Sequence, residues 1–211
     1  MFQAAGAVVR APGQITPIWP AHATNDIALL IVGSLSQEPA SLATPAGFVQ
    51  VANSPQKGAD GTTRLSVFWC RASSAAQQNP VVADSGQYNS AVILTYRNCV
   101  ITGNPWDITA GGNTASPQAG VSFPSVNTTV PNTLIVNIGS DNLALAGQRI
   151  SGFANGALAG LSERLDDGYQ GTYSDGLWAC DGQLSVAGNS GATTANLAGA
   201  ATQAHLTIAL K

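Results

Sequence analysis

The stretch TTRLSVFWCRA, residues 62–72, predicts a β-strand that is apolar on both sides. Because side chains alternate along a strand, Leu65, Val67 and Trp69 would point to one side of the sheet and Phe68 to the other. A strand in a free-standing sandwich usually turns one side to the core and the other to water. The second side of this strand therefore needs a cover.

A second stretch, NDIALLIVGS at residues 25–34, has the same property. Ile27 and Ile31 would face opposite to Leu30 and Val32. Strands that are apolar on both sides are typical of the centre of a sheet whose outer face is also buried. The sequence therefore predicts that something packs on the outer face of this sheet.

Three covers for that outer face remain open from the sequence. The loop 35–61 carries Phe48 in TPAGFVQV, the segment 99–110 carries Trp106, and the third cover would be another protein chain. If another chain covers the face, that face is an assembly surface. Its candidate residues are Leu30, Val32, Phe68, Cys70 and Trp106.

The chain carries unusually few charges. Only 9% of its 211 residues are charged, against about 25% in an average globular domain. A net charge of −3 argues against a nucleic-acid partner, because phosphate binding needs a clustered basic face. No apolar run approaches the roughly 18 residues of a membrane-spanning helix, so no membrane partner is expected either.

Short apolar stretches separated by Gly, Pro, Asn and Ser recur along the chain, and helix signals are scarce. This pattern predicts an all-β fold, a two-sheet antiparallel β-sandwich, with a jelly roll as one variant. We expect a single domain over residues 1–211, with 1–24 as an extended N-terminal arm, and tight turns at 57–61 and 166–168. The candidate strands are 4–9, 25–34, 63–71, 90–98, 119–125, 133–140, 158–165, 176–187 and 204–210.

The candidate strand AHLTIAL near the end of the chain alternates between apolar and polar residues. Leu206, Ile208 and Leu210 are expected to face the core, and His205 and Thr207 to face outward. A histidine on an outward face, far from any nucleophile motif, does not suggest a catalytic base.

No catalytic pattern is evident elsewhere in the sequence. The other histidine, His22, lies in a Pro-flanked loop, and no G-x-S-x-G motif is present. Glu163, Asp166 and Asp167 are close in sequence, but Asp166 and Asp167 precede Gly168 as in a turn. We therefore expect a protein that is not an enzyme and binds no cofactor.

The same acidic segment could bind calcium through Asp166, Asp167 and Asp175, because hard cations prefer clustered oxygen ligands. The spacing does not match an EF-hand loop, and a solvated loop is the simpler interpretation. No metal site is expected.

Cys70, Cys99 and Cys180 are odd in number, and their spacing fits no zinc motif. One disulfide with a remaining free thiol is an alternative, but we favour three small, buried apolar side chains.

The tryptophans raise the alternative of sugar binding, since flat rings stack on sugars. They are Trp19, Trp69, Trp106 and Trp178. Trp69 is expected in the core, and Trp106, after the turn-forming GNP, is the one most suited to exposure. Packing within the fold is the favoured interpretation for each ring.

Six stretches, read in chain order, resemble those of a group of tailed-bacteriophage and prophage structural proteins of similar length. They are DIALLIVGS, TPAGFVQV, TRLSVFWCRA, AVILTYRNCVITGNPWD, NTLIV and LTIALK. The similarity runs from Asn25 to Lys211. Two departures stand out: Cys70 replaces a Lys, and TYRNCV replaces an FRG core. Arg97 remains and is expected to pair with a buried carbonyl or with an acid such as Asp107.

The resemblance implies a non-enzymatic virion component, either a capsid decoration (cement) protein or a tail-associated protein. Its partners would be the major capsid or tail proteins and further copies of itself. Such a protein is made in the host cytoplasm, which agrees with an N-terminus without a signal-peptide pattern. We favour the capsid exterior, because the chain is too short for the repeats of a fibre. A receptor- or glycan-binding module of the tail is the alternative.

Overall fold

The computed structural model describes residues 1–35 and 42–211, and every regular element in this part is a β-strand, which confirms the all-β prediction. The described residues contain no helix that could cross a membrane. The strands are β1 (Phe2–Ala5), β2 (Val9–Ala11), β3 (Ile27–Leu35), β4 (Val49–Gln50), β5 (Gln56–Lys57), β6 (Thr63–Arg71), β7 (Tyr88–Tyr96), β8 (Trp106–Asn113), β9 (Gln118–Phe123), β10 (Thr133–Asp141), β11 (Ile150–Ala154), β12 (Ala159–Tyr169), β13 (Asp175–Leu184), β14 (Thr193–Ala201) and β15 (Gln203–Leu210).

The first seven strands form one sheet, in the order β1-β7-β3-β6-β4, with β2 also paired to β7 and β5 to β6. The strands β3 and β6 lie side by side at its centre, where their apolar sequences predict them. Residues 1–24 belong to this sheet and its cover, because β1 and β2 pair with β7 and Ile15 pairs with Val82. The N-terminal segment thus first adds strands to the sheet and then contributes Ile15 and Trp19 to the residues that cover it.

The last eight strands have the pairing order of a jelly roll. Among them the first strand pairs with the last (β8 with β15), the second with the seventh (β9 with β14) and the third with the sixth (β10 with β13). The fourth and fifth, β11 and β12, meet where the backbone N–H groups of Arg149 and Ile150 donate to the Asp166 carboxylate. The five-stranded sheet is β12-β13-β10-β15-β8, and the three-stranded sheet is β11-β14-β9. This nested order resembles that of a double-sheet jelly roll, except that β12 pairs with β13 and not with β11.

The inner core lies between the seven-stranded and five-stranded sheets. Leu65 and Val67 of β6 contribute to it from one side, and Leu206, Ile208 and Leu210 of β15 from the other. These are the inward faces that the alternation predicts. The two sheets therefore form the predicted sandwich.

The outer cluster covers the other face of the seven-stranded sheet. Phe68 packs there together with Ile15, Trp19, Phe48 and Val82. The chain itself therefore supplies the cover: the prediction that the loop 35–61 contributes through Phe48 is confirmed, although residues 36–41 lie outside the described part. The prediction of 99–110 as a cover is wrong, because residues 106–113 form β8 at the edge of the opposite sheet.

The three-stranded sheet packs on the outer face of the five-stranded sheet, and this third layer was not predicted. Phe123 and Trp178 meet there with ring centroids 5.3 Å apart, and His205 lies 5.5 Å from Trp178. His205 and Thr207 do point away from the inner core, but the prediction that they are exposed to solvent is wrong. Both are buried, because the strands β9, β11 and β14 cover that face.

The two predicted turns have different outcomes. A turn is present at 57–61, where the Gly61 N–H donates to the Gly58 carbonyl. Residues 166–168 instead continue β12, and Gly168 stands opposite Gly176 of β13. Both glycines lie against Arg149, whose guanidinium group occupies the space that a Cβ at either position would need. Packing of a buried side chain, and not a turn, explains these glycines.

Candidate functional site

All five residues of the predicted assembly surface are buried within the chain itself. Leu30, Val32, Phe68 and Cys70 belong to the outer cluster, and Trp106 belongs to the inner core, where its ring lies 5.4 Å from that of Trp69. None of the five is more than 9% exposed. They stabilise the subunit and do not form a surface that a partner could contact.

The tryptophans likewise offer no stacking surface. Trp106 is buried in the inner core, and Trp69 is half-buried beside it. Trp178 is buried between the five-stranded and three-stranded sheets. Trp19 is buried in the outer cluster, where its indole N–H donates to the Gln78 carbonyl. The expectation that Trp106 is the most exposed ring is wrong, because Trp106 packs in the inner core and is only 9% exposed.

Tyrosines provide the exposed aromatic group that the tryptophans do not. Tyr88 begins β7, Tyr169 ends β12, and Tyr173 lies in the turn between β12 and β13. The Tyr88 ring stacks on Tyr169 with centroids 5.3 Å apart, and its centroid is 6.3 Å from that of Tyr173. Tyr169 and Tyr173 are 36% and 38% exposed. We call these three residues the tyrosine surface.

The tyrosine surface lies beside a cluster of charges that joins the seven-stranded sheet to the five-stranded sheet. Arg10 of β2 contacts Asp167 through Nη2 at 2.5 Å and Asp175 through Nε at 3.2 Å. Burial raises the pKa of Asp175, and hydrogen bonding by Ser90 and the charge of Arg10 only partly offset that effect. Burial and the hydrogen-bonded neighbour Tyr169 also raise the pKa of Tyr88.

The acidic residues considered for calcium have other partners. Asp167 and Asp175 share Arg10, and Asp166 accepts hydrogen bonds from the backbone N–H groups of Arg149 and Ile150. In the described part of the chain, no group of three potential ligand residues is close enough to hold a metal ion. Burial raises the pKa of Glu163, and the charge of Asp166 adds to the effect.

A second feature between these two sheets is a groove of about 370 Å³ beside β1. The guanidinium carbon of Arg164 lies 4.6 Å from the centroid of the Phe2 ring, and Arg164 is hydrogen-bonded to Asp181 through Nε and Nη2. Both charges are thus used in holding β1 against β12 and β13. The groove lacks an exposed aromatic face, and we regard it as a structural contact.

The segment that follows β7 confirms its expectation in part. Arg97 pairs with an acid, but the acid is Asp26 and not Asp107; the contacts are 2.8 Å through Nε and 2.7 Å through Nη2, and they lower the pKa of Asp26. Asp107 accepts hydrogen bonds from Thr129 instead. Asn98 has a φ of 62°, in the left-handed region that Asn tolerates better than most residues.

All three cysteines are free, and no disulfide forms. Cys70 and Cys180 are buried, as predicted, and burial raises the pKa of each thiol to about 12. Cys99 is half-buried, and its pKa is also raised by burial. Thiols with raised pKa values are poor nucleophiles, which argues against a catalytic role.

The buried His205 leads to a prediction about pH. Burial lowers its pKa from 6.5 to about 4. Between these values the unfolded chain binds a proton at this position and the folded chain does not, so stability falls as the pH falls. We expect His205 to account for a loss of roughly 3 kcal/mol in the free energy of unfolding across this window.

This prediction is checked by urea denaturation at several pH values. The variant His205→Gln, which has no titrating group at this position, should show a flatter decline between pH 6.5 and 4. If stability declines with pH equally in the two proteins, His205 binds its proton equally well in the folded and unfolded states.

Comparisons of the chain with protein-family models, with curated proteins and with solved structures find no match.

Proposed function

We propose that this protein is a non-enzymatic structural component of a bacteriophage particle, with a capsid decoration protein favoured over a tail-associated one. The observation that carries the proposal is the jelly-roll order of β8 to β15, an arrangement that recurs in viral capsid domains. A fold alone does not specify a function. The resemblance of its motif sequences to phage structural proteins supplies the second line of support.

The motif stretches are framework segments of this fold. TRLSVFWCRA contains β6, TGNPWD leads into β8, and LTIALK contains the last five residues of β15. Their residues fill the inner core and the outer cluster. The resemblance therefore concerns the residues that build the subunit, which is what a shared architectural role requires.

The construction of the subunit also suits addition to an existing particle. Its own segments cover both faces of the seven-stranded sheet, so the subunit needs no partner to bury its core. The Arg10–Asp175 ion pair connects the seven-stranded sheet to the five-stranded sheet. Contacts with neighbours would use exposed apolar side chains outside the core, among them Ile18, Ile101 and Val186.

Copy number in purified particles tests this proposal. We expect the protein to remain with the particles through gradient purification, and quantitative mass spectrometry to find it in hundreds of copies per particle. A handful of copies would favour the tail-associated alternative. Absence from purified particles of a phage that encodes the protein would contradict a structural role.

A further inference from the structure

We infer that copies of this chain associate head to tail: the tyrosine surface of one copy contacts a hollow beside Arg97 and Ile101 at the opposite end of the next copy. This inference goes beyond a structural role in a particle and does not depend on it. It rests on the placement of the two surfaces, on the direction in which two ion pairs point, and on the size of the hollow.

The two surfaces lie at opposite ends of the seven-stranded sheet. Tyr88, in the tyrosine surface, begins β7 and pairs with Leu35 at the end of β3. Tyr96 ends β7 and pairs with Ile27 at the start of β3, and Arg97 follows it. Roughly 30 Å of extended strand therefore separates Tyr88 from Arg97. Surfaces this far apart cannot meet within one copy, but they can meet between successive copies.

The hollow has a volume of about 340 Å³. Arg97, Asn98 and Ile101 form part of its wall, and Ile101 is 68% exposed. Since a cavity of about 150 Å³ already holds a benzene ring, this hollow has room for a tyrosine side chain. The Arg97 guanidinium group in its wall is of the kind that packs on the face of an aromatic ring.

The ion pair at the hollow has its positive member exposed. The Arg97 side chain is 43% exposed, whereas that of its partner Asp26 is 1% exposed. Arg71 ends β6 at the same end of the sheet and forms no ion pair with residues 1–35 or 42–211. Asp107 and Lys211 also lie there, and their opposite charges interact. We call this the basic end, because it presents positive charge to a neighbour.

The ion pair at the tyrosine surface points the other way. The Asp167 side chain is 39% exposed, whereas that of its partner Arg10 is 13% exposed. Asp60 and Asp84 are exposed at the same end, and neither forms an ion pair within the described part of the chain. These three carboxylates outnumber the exposed cation of this end, Lys57. We call this the acidic end.

The two ends are therefore complementary to each other. Tyr169 and Tyr173 provide exposed apolar area at the acidic end, and Val100 and Ile101 provide it at the basic end. Opposite charges favour contact between unlike ends, and like charges oppose contact between two copies of the same end. A contact between two different surfaces of one chain is heterologous, so it generates a ring or a filament and not a symmetric dimer.

Sedimentation velocity of the full chain tests the inference. At about 50 mM salt we expect species larger than a dimer, and at about 500 mM salt we expect fewer of them, because salt screens the attraction. The dissociation constant of each contact should be on the order of 10 μM. Ile101→Asp should weaken the contact at least about tenfold, because a carboxylate then faces the acidic end. Ile101→Lys should weaken it less, because the charge of the basic end is kept.

A mixture of two variants tests the head-to-tail arrangement directly. Tyr173→Ala lacks an exposed ring at the acidic end but keeps its basic end, whereas Ile101→Asp keeps its tyrosine surface. Each variant alone should be largely monomeric. An equimolar mixture should form a heterodimer and nothing larger, because each pair of variants has one intact contact and one that is defective on both sides.

Ile18→Asp is the matched control, because it makes the same substitution at an exposed isoleucine away from both ends. The Ile18 carbonyl lies beside Gly6, which is bonded to Ile93 in the interior of β7. This variant should associate as the wild type does, and unchanged circular dichroism and melting temperature would show that each variant is folded. The inference is overturned if the wild type stays monomeric or stops at a dimer. It is also overturned if Ile101→Asp associates like the wild type, or if the mixture contains no heterodimer.

Discussion

Replacement of Asp141 by Ala is expected to lower the free energy of unfolding by about 3–5 kcal/mol. Asp141 and Arg149 form an ion pair at 2.6 Å in which both side chains are fully buried. The other Asp141 oxygen accepts a hydrogen bond from the Trp178 indole N–H, also at 2.6 Å. The variant would leave a buried guanidinium group without its hydrogen-bonded carboxylate partner and a buried indole without an acceptor.

Urea denaturation monitored by circular dichroism measures this effect. Asp107→Ala is the matched control: it removes a carboxylate that accepts two hydrogen bonds from Thr129 near the surface, and it should cost about 1 kcal/mol. The double variant Asp141→Leu with Arg149→Met should recover the part of the lost stability that comes from the unpaired charge, while the Trp178 indole remains without its acceptor. A loss below 1 kcal/mol in Asp141→Ala would show that water reaches Arg149.

Replacement of Phe68 by Ala is expected to destabilise the isolated subunit by about 3–5 kcal/mol. Phe68 is 1% exposed in the outer cluster, where Trp19 and Phe48 also lie with ring centroids 6.2 Å apart. The cover is part of the same chain, so the loss should appear in the free protein without any partner. The expected reason is lost burial together with the cavity that remains.

Melting and denaturation curves of the purified subunit measure this loss. Val49→Ala serves as the control, because Val49 lies on the neighbouring strand β4 but is 54% exposed, and its truncation should change stability by less than about 0.5 kcal/mol. A Phe68→Ala subunit that melts like the wild type would show that the cover is not formed in solution. The face would then be open to another chain.

The sequence was most informative where a strand is apolar on both sides. The strands β3 and β6 carry apolar residues on both sides, which predicts central positions and a covered outer face, and both features are present. The alternation in AHLTIAL likewise gives the correct inward face for β15. Such patterns are informative because burial depends directly on which side of a strand a residue occupies.

Other elements have no comparable pattern. The residues of β8, WDITAGGN, include two glycines and weak alternation, and pairing with β15 makes them a strand. The strand β14 consists mostly of Thr, Ala and Gly, so its role as a layer over Trp178 depends on the fit of small side chains. A local pattern cannot reveal a strand that is stabilised mainly by its neighbours.

The sequence does not predict the tyrosine surface. Tyr169 and Tyr173 stand in GYQGTYSDG, a stretch of small and polar residues that suggests an exposed turn. That context was the available signal, since an aromatic residue in such a turn has little to pack against. Tyr88, however, is distant in sequence, and only the packing of β7 beside the β12–β13 turn places its ring with the others.

The sequence by itself determined the all-β class, the central strands and the apolar sides of those strands, because alternation and turn residues act locally. Only the tertiary structure decided which segment covers β6, that a third sheet buries His205, and that Arg10 has acidic partners far along the chain. These outcomes depend on strand order and register. The position of a residue in the sequence does not specify which distant residues it will contact in the folded chain.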